Sequence, residues 1–278
     1  MQTVSHHGIQ ISVPAAWKIN NLACGTPIAD TVIIAGAPVP ACATYPTPTG
    51  LTVVRLGVPS YVRALATEPV VVDGHSGRLG SGTPAGERAP LTVLVLPDLD
   101  VGVSVASPDP AAATRIPDSV RVVPVDSYGC VDRVDMSVPP VQPVPRFGAT
   151  QVLVPGRPIR AAVCRYDDGW LMRSAPVTPT ELDTLVDTLN GLPVGVSRPG
   201  PGYNVPPEEC AKATRRGYVV HFGYPEGPPM DVHVHVSGCN GLSTNNGART
   251  TRINKPLVDL LISHVSYSGA LPNPAELR

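Results

Sequence analysis

The chain of 278 residues has little charge and very little lysine. Charged residues make up 15% of it, and the only lysines are Lys18, Lys212 and Lys255. Because the formal net charge is -1, there is no basic field to attract a phosphate backbone, and we expect no nucleic-acid partner. No apolar run approaches the length that crosses a bilayer, so we expect no membrane span in this chain.

Sequence motifs of nucleotide and metal sites are also missing. The chain has no glycine-rich dinucleotide loop and no phosphate-binding loop. The cysteines include no CxxC pair, which disfavours a zinc ribbon or a thioredoxin-type centre. The segment 74–78 approaches a nucleophile elbow, but Arg78 stands where the last glycine is required. We therefore interpret this segment as a glycine turn between two strands.

The cysteines that are present form an even set: Cys24, Cys42, Cys130, Cys164, Cys210 and Cys239. Disulfides persist in oxidising compartments, so the set predicts an extracytoplasmic protein, secreted or anchored to the outer face of the membrane. Buried reduced cysteines are the alternative. The chain opens at Met1 without an apolar leader, and we expect it to be the mature form of an exported protein.

Proline marks the organisation of the chain. The stretch 137–146 contains four prolines, all of them between positions 139 and 145. Because proline lacks an N–H donor and restricts φ, this stretch suits neither a helix nor a central strand. It is the best candidate for a linker. We predict an α+β protein of two small domains, 1–126 and 127–278, with this Pro-rich connection near the start of the second. Each is expected to be an antiparallel sheet packed with one or two helices and stapled by disulfides.

The first half is typical of short alternating strands separated by proline and glycine. We predict a strand at 9–13, a hairpin over 91–106, and helices at 60–67 and 109–120. A strand ending in Pro14 and Trp17, a valine-to-glycine turn at 72–74 and a closing helix ending in Ser119-Val120 resemble the PsbP-like fold of small secreted lipoproteins and lumenal proteins. The resemblance implies that residues 1–126 have this α+β fold.

Two helices are predicted in the second half. Thr178-Pro179-Thr180-Glu181 is a capping box with proline at the first helical position, and leucines follow at helical spacing until Asn190-Gly191. A last helix is expected over 256–265, with Asn254 as its cap.

The second half contains a series of short sequence motifs at Cys130, 153–156, 163–166, 189–190, Cys210, 237–239 and 246–247. They resemble a module of exported or membrane-anchored envelope proteins of high-GC Gram-positive bacteria, a family without an assigned activity. The resemblance implies a location and a pairing of cysteines, but no chemistry. Six cysteines allow many connectivities; from their neighbourhoods along the chain we expect the bridges Cys24–Cys42, Cys130–Cys164 and Cys210–Cys239.

A histidine pattern is the sharpest lead to chemistry. If Tyr224 pairs with Met230 across a hairpin, His221 lies opposite His233, and His235 follows on the same face. Three imidazoles on one face can hold zinc and leave an open position for water. The alternative is that this face is the solvated side of the sheet, where polar residues are required.

The polar loop 240–252 is the candidate binding surface, with Asn245, Asn246, Arg249 and Arg252 as its binding residues. Its alternative is a solvated connection with an Asn246-Gly247 turn.

No complete catalytic set emerges, so we expect a non-catalytic exported or cell-envelope binding or sensor module that recognises a protein or a cell-wall component, without a cofactor. A metal-dependent hydrolase or metal-binding protein that uses the three histidines is the alternative.

Overall fold

The computed structural model describes residues 1–23, 26–34, 47–58, 60–85, 87–136, 140–142, 146–195, 216–236 and 242–265. These residues separate into two compact units: unit 1 extends to Pro124, and unit 2 begins at Val125. The mixed α+β class is confirmed. That each unit is an independently folding domain stays a prediction.

Unit 1 contains two helices, α1 (Ser60–Arg63) and α2 (Pro110–Asp118). Its strands are β1 (Gln2–His6), β2 (Ile9–Val13), β3 (Lys18–Ile19), β4 (Leu22–Ala23), β5 (Thr26–Pro27), β6 (Thr31–Ile34), β7 (Val53–Leu56), β8 (Glu68–Val72), β9 (His75–Gly82), β10 (Leu91–Leu96), β11 (Val101–Ala106) and β12 (Arg121–Val122). These strands form a three-stranded sheet of order β1-β2-β12, a seven-stranded sheet of order β3-β6-β7-β11-β10-β9-β8, and the pair β4-β5.

The seven-stranded sheet is mixed, and the expectation of a purely antiparallel sheet is wrong here. Strand β6 runs parallel to both β3 and β7. A parallel pair needs a long crossover connection, and the chain between Ile34 and Val53 has the length for one. The expected hairpin is confirmed, with Leu91 paired to Ala106 and Leu96 to Val101.

Helix α2 follows its sequence signals. The Asp109 carboxylate caps it by accepting a hydrogen bond from the backbone N–H of Ala111 at 2.9 Å, and Pro110 occupies the first turn. Pro117 lies in the last turn, and the helix ends one residue later at Asp118. The helix packs on β2, β10 and β11. Helix α1 is shorter than expected, because it ends at Arg63 rather than near Thr67.

The strands and helices of unit 2 are β13 (Arg160–Asp167), β14 (Trp170–Pro176), α3 (Pro179–Asn190), β15 (Arg216–Gly223), β16 (Met230–His235), β17 (Ser243–Asn245), β18 (Thr250–Arg252) and α4 (Lys255–Val265). The strands form one antiparallel six-stranded sheet of order β14-β13-β15-β16-β17-β18. Both helices were predicted. The capping box of α3 forms, and the Asn254 carboxamide caps α4 through the backbone N–H of Leu257 at 3.0 Å.

Apolar side chains cover both faces of this sheet near its centre. On one face the sheet packs with α3 and α4 around fully buried Leu185, Leu189, Leu257 and Leu261. On the other face lies the segment 126–136, here named the strap, whose buried Cys130 and Met136 contact Ala162, Cys164, Tyr166 and Val219 of the sheet. The second face is therefore a second core rather than a solvated surface.

The predicted disulfide Cys130–Cys164 is present and joins the strap to β13, with 5.7 Å between the two Cα atoms. Cys24, Cys42, Cys210 and Cys239 lie outside the described residues, so the other two bridges stay predictions.

The Pro-rich stretch is not the boundary between the units, because the division falls before it, after Pro124. Its described residues bind to unit 2: the Gln142 carboxamide donates to the backbone oxygens of Asp231 and Asn246. Arg146 donates to the carbonyls of Glu226 and Pro228 in the β15–β16 turn. The interpretation of this stretch as a linker is therefore wrong for its described part.

Candidate functional site

A cleft of about 580 Å³ opens where the seven-stranded sheet of unit 1 extends past the end of α2. Its floor is apolar and comes from β8, β9 and β10, through Val70, Val72, Leu79 and Leu94. Gly77 makes room for this floor, since a Cβ at that position would lie 3.2 Å from Val70 Cγ2 and 2.9 Å from Leu96 Cδ2. The exposed lining of the whole cleft is about equally polar and apolar, and concave sites that combine apolar surface with polar groups are where proteins usually bind ligands.

The opposite wall of the cleft is the C-terminal end of α2. Pro117 and Val120 supply apolar surface, while Asp118 and Arg121 supply charge. The Arg121 guanidinium donates to the carbonyl oxygens of Asp118 at 3.0 Å and Val120 at 2.7 Å. It thus satisfies carbonyls that the helix end leaves without an intrahelical partner.

The turn between β8 and β9 closes one end of the cleft. Asp73 and Gly74 both have positive φ, +48° and +86°, as a two-residue hairpin turn requires. The Asp73 carboxylate accepts a hydrogen bond from the backbone N–H of Val122 at 2.9 Å, which ties the turn to β12. Ser76 lies exposed on β9 just after the turn. Of the segment 74–78, only Gly74 lies in this turn, and residues 75–78 belong to β9, so the interpretation as a glycine turn holds for its first residue alone.

Strand β8 is the last strand of its sheet, and it borders the cleft. It pairs with β9 from Glu68–Leu79 to Val72–His75, and among the described residues it pairs with no other strand. Val71, at its centre, is 74% exposed. Exposed edge strands with apolar side chains are surfaces on which another strand can add.

The histidine hairpin has a register that differs by two residues from the predicted one. His221 pairs with Asp231, and Val219 pairs with His233. The shift keeps each side chain on its predicted face but changes its partner, because strands alternate with a period of two. Tyr224 lies outside the ladder, and the Arg146 guanidinium stacks on its ring at 3.4 Å.

His221 therefore forms an imidazole–carboxylate pair with Asp231 rather than facing His233. Its Nδ1 lies 2.7 Å from the Asp231 Oδ1. The strap covers the ring, since a Cβ on Gly129 would come within 2.8 Å of its Cδ2 and Nε2 atoms. The strap thus covers one side of the imidazole, while both side chains of the pair remain partly exposed.

The other two histidines lie further along β16 on the same face. His233 is buried, and its ring centroid is 6.3 Å from that of His235 in an edge-to-face arrangement. Burial lowers the pKa of His235 below its usual value, because the surroundings disfavour the charged ring. Within the part of the chain that the structure describes, no three His, Cys, Asp or Glu side chains are grouped to hold a metal ion.

The predicted binding loop is organised mainly by its own asparagine. Asn246 is fully buried. Contrary to the expectation of a binding residue, its side chain serves the fold and is not exposed to a ligand. Its Nδ2 lies within hydrogen-bonding distance of the carbonyl oxygens of Ala149, Val152 and Leu153. Its Oδ1 accepts hydrogen bonds from the backbone amides of Ala248 and Arg249.

The remaining residues of that loop differ in exposure. Asn245 is half-buried, and its side chain bonds to the Thr250 hydroxyl and the Gly247 amide. Arg249 donates to the carbonyl of Thr150 at 3.3 Å, whereas Arg252 is exposed. A binding role for Arg249 and Arg252 stays a prediction.

Comparison of the chain with protein-family models, with curated proteins and with solved structures finds no match. The resemblances to PsbP-like proteins and to actinobacterial-type envelope modules accordingly stay predictions. Among the helices that the structure describes, none has both the length and the apolar character needed to cross a bilayer.

The cleft was not anticipated from the sequence. Its turn at 73–74 was expected, and proline at the second position of β8 is typical of an edge strand. The approach of β8 to the end of α2 is a long-range contact, and no local pattern reports it.

Proposed function

We propose that this protein is a non-catalytic binding module of the cell envelope or the extracellular space, and that it binds an apolar group of its ligand in the cleft of unit 1. The observation that carries the proposal is the shape and lining of the cleft, with an apolar floor at Val70, Val72 and Leu79 and charged groups at its mouth. Such sites bind by burying apolar surface and use a few polar groups for orientation.

Two further features support a binding role. The Cys130–Cys164 bridge is compatible with an oxidising compartment. The best catalytic candidate, the His221–Asp231 pair, is covered on one side by the strap at Gly129. General acid–base catalysis requires hydrogen-bond reach to the substrate, and the strap restricts that reach on the side of Gly129.

Titration with Nile red, a neutral dye whose emission rises in apolar surroundings, tests the proposal. We expect saturable binding that Val70→Asp weakens by more than about tenfold, since a carboxylate on the cleft floor disfavours an apolar occupant. Ser76→Asp is the matched control, because it adds the same charge to the same hairpin on the face opposite Val70. Circular dichroism verifies that both variants are folded.

Two results would contradict the proposal. One is the absence of saturable binding by the unsubstituted protein. The other is an equal effect of Val70→Asp and Ser76→Asp, since the dye would then bind outside the cleft.

A further inference from the structure

We propose that the occupant of the cleft is an extended peptide segment of another protein, which adds to β8 as an eighth strand of the sheet. Its alternate side chains are apolar and enter the cleft, and a basic side chain lies at the acidic mouth. This inference rests on the proposed function and names the class of ligand for the same site.

The outward side of β8 carries main-chain groups suited to a new strand. In a two-residue hairpin the residues that flank the turn exchange their hydrogen bonds, so the N–H and C=O groups of Val72 and Val70 point to β9. Those of Val71 point away from β9. The described residues give Val71 no hydrogen-bond partner on that side. Pro69 also points outward, where the N–H that it lacks is not needed within the sheet.

The side chains of an added strand would alternate between two environments. Residues opposite Val70 and Val72 would face the cleft, because side chains of paired residues share a face of the sheet. The residue between them would pack on Val71, whose side chain is exposed. The cleft therefore selects apolar residues at every second position, and the open edge provides the hydrogen bonds that hold them there.

Charge at the mouth favours a cation. Asp73 and Asp118 line the cleft, and Glu68 is exposed at the start of β8. The C-terminal end of α2 adds the negative end of the helix dipole. Arg121 is the one cation among the lining residues, and its guanidinium is engaged by two carbonyls of the helix end. A peptide with lysine opposite Glu68, which shares the cleft face of β8 with Val70 and Val72, complements this distribution.

In the six-stranded sheet of unit 2, other segments of the chain cover both edges, so that neither edge is open to an added strand. Strand β14 is flanked by the strap, where Leu171 N–H donates to the carbonyl of Asp132 at 2.9 Å. Strand β18 is flanked by residues 193–195, where Arg252 N–H donates to the carbonyl of Pro193 at 2.8 Å. The edge at β8 has no such cover among the described residues.

Amide hydrogen exchange with the hexapeptide acetyl-Ser-Val-Thr-Val-Ser-Lys-amide, whose lysine lies opposite Glu68 in an antiparallel pairing, tests the inference. In an antiparallel pairing its threonine lies opposite Val71 and its valines face the cleft. In the free protein we expect Val71 to exchange faster than Val70 and Val72. With the peptide at about nine times its dissociation constant, exchange at Val71 should slow about tenfold.

Two methylated peptides separate main-chain pairing from apolar contact. N-methylation of the threonine removes the N–H that faces Val71 and should abolish the protection. N-methylation of the first valine alters an N–H that faces solvent and should preserve it. In the protein, Val71→Pro should prevent peptide binding, whereas Val71→Thr should retain it.

The outcomes distinguish this inference from the proposed function. Nile red binding without protection of Val71, or equal binding of both methylated peptides, overturns the added strand and leaves the apolar cleft standing. Failure of both dye and peptide overturns both. Protection of Val71 that grows with protein concentration in the absence of peptide would identify a second copy as the occupant and overturn the assignment to another protein.

Discussion

The six-stranded sheet of unit 2 and the seven-stranded sheet of unit 1 differ in how the chain covers them. In unit 2, helices α3 and α4 pack on one face, the disulfide-linked strap packs on the other, and chain segments flank both edges. In unit 1, the sheet ends at β8 with Val71 exposed, beside a cleft. The sheet of unit 2 is thus covered on both faces and at both edges, whereas among the described residues the sheet of unit 1 has an open edge at β8.

The two tryptophans allow this comparison to be measured, because Trp17 lies in unit 1 and Trp170 in unit 2. In a Trp17→Phe background, fluorescence reports the unfolding of unit 2. In a Trp170→Phe background, it reports the unfolding of unit 1. The experiments below use urea unfolding in these two backgrounds.

Removal of the strap's disulfide should have the largest effect. We expect Cys130→Ala with Cys164→Ala to lower the free energy of unfolding of unit 2 by about 3 to 4 kcal/mol, since the bridge closes a loop with a sequence separation of 34 residues. Unit 1 should be unchanged. Equal losses in the free energy of unfolding of both units would contradict the view that the disulfide stabilises unit 2 alone.

Asn246→Ala should be the next largest. The substitution leaves buried carbonyl and amide groups of the loop without their partner, and we expect unit 2 to lose about 2 to 3 kcal/mol. The control is Arg252→Ala at an exposed position of the same region, where the change should stay within about 0.5 kcal/mol. A loss below about 1 kcal/mol for Asn246→Ala would contradict the view that its hydrogen bonds hold the loop in place.

Acid should weaken unit 2 through His235. Burial lowers the pKa of this imidazole in the folded state, so below a pH of about 6.5 the unfolded chain binds a proton that the folded chain does not. The free energy of unfolding of unit 2 should therefore fall as the pH decreases through this range, until the folded-state pKa is reached. His235→Gln should reduce this dependence, and an unchanged pH profile would show that other groups cause it.

The smallest effect is expected at the open edge. Val71→Lys replaces an exposed side chain that contributes little to the core, so unit 1 should change in stability by no more than about 0.5 kcal/mol. The same variant should weaken peptide binding at β8, because a charged side chain on an edge strand opposes the addition of another strand. A large loss of stability instead would mean that Val71 is a structural residue and would weaken the contrast between the units.

Local patterns predicted most of the helices and hairpins. The capping box at Thr178, the cap at Asn254 and the turn at 73–74 each depend on contacts between residues close in sequence, and all three form. The register of the histidine hairpin was predicted wrongly because Tyr224 lies outside the ladder, beside Arg146, which is distant from it in sequence. The same holds for Asn246, whose burial depends on carbonyls near residue 150.

By itself, the sequence determined the α+β class, the bridge between Cys130 and Cys164, and the positions of the caps and turns, because these follow from local chemistry and from the few cysteines available. Only the tertiary structure decided which edge of which sheet stays open and where the cleft lies. Strand order and the approach of β8 to α2 arise from contacts between distant segments, and periodicity along a chain carries no information about them.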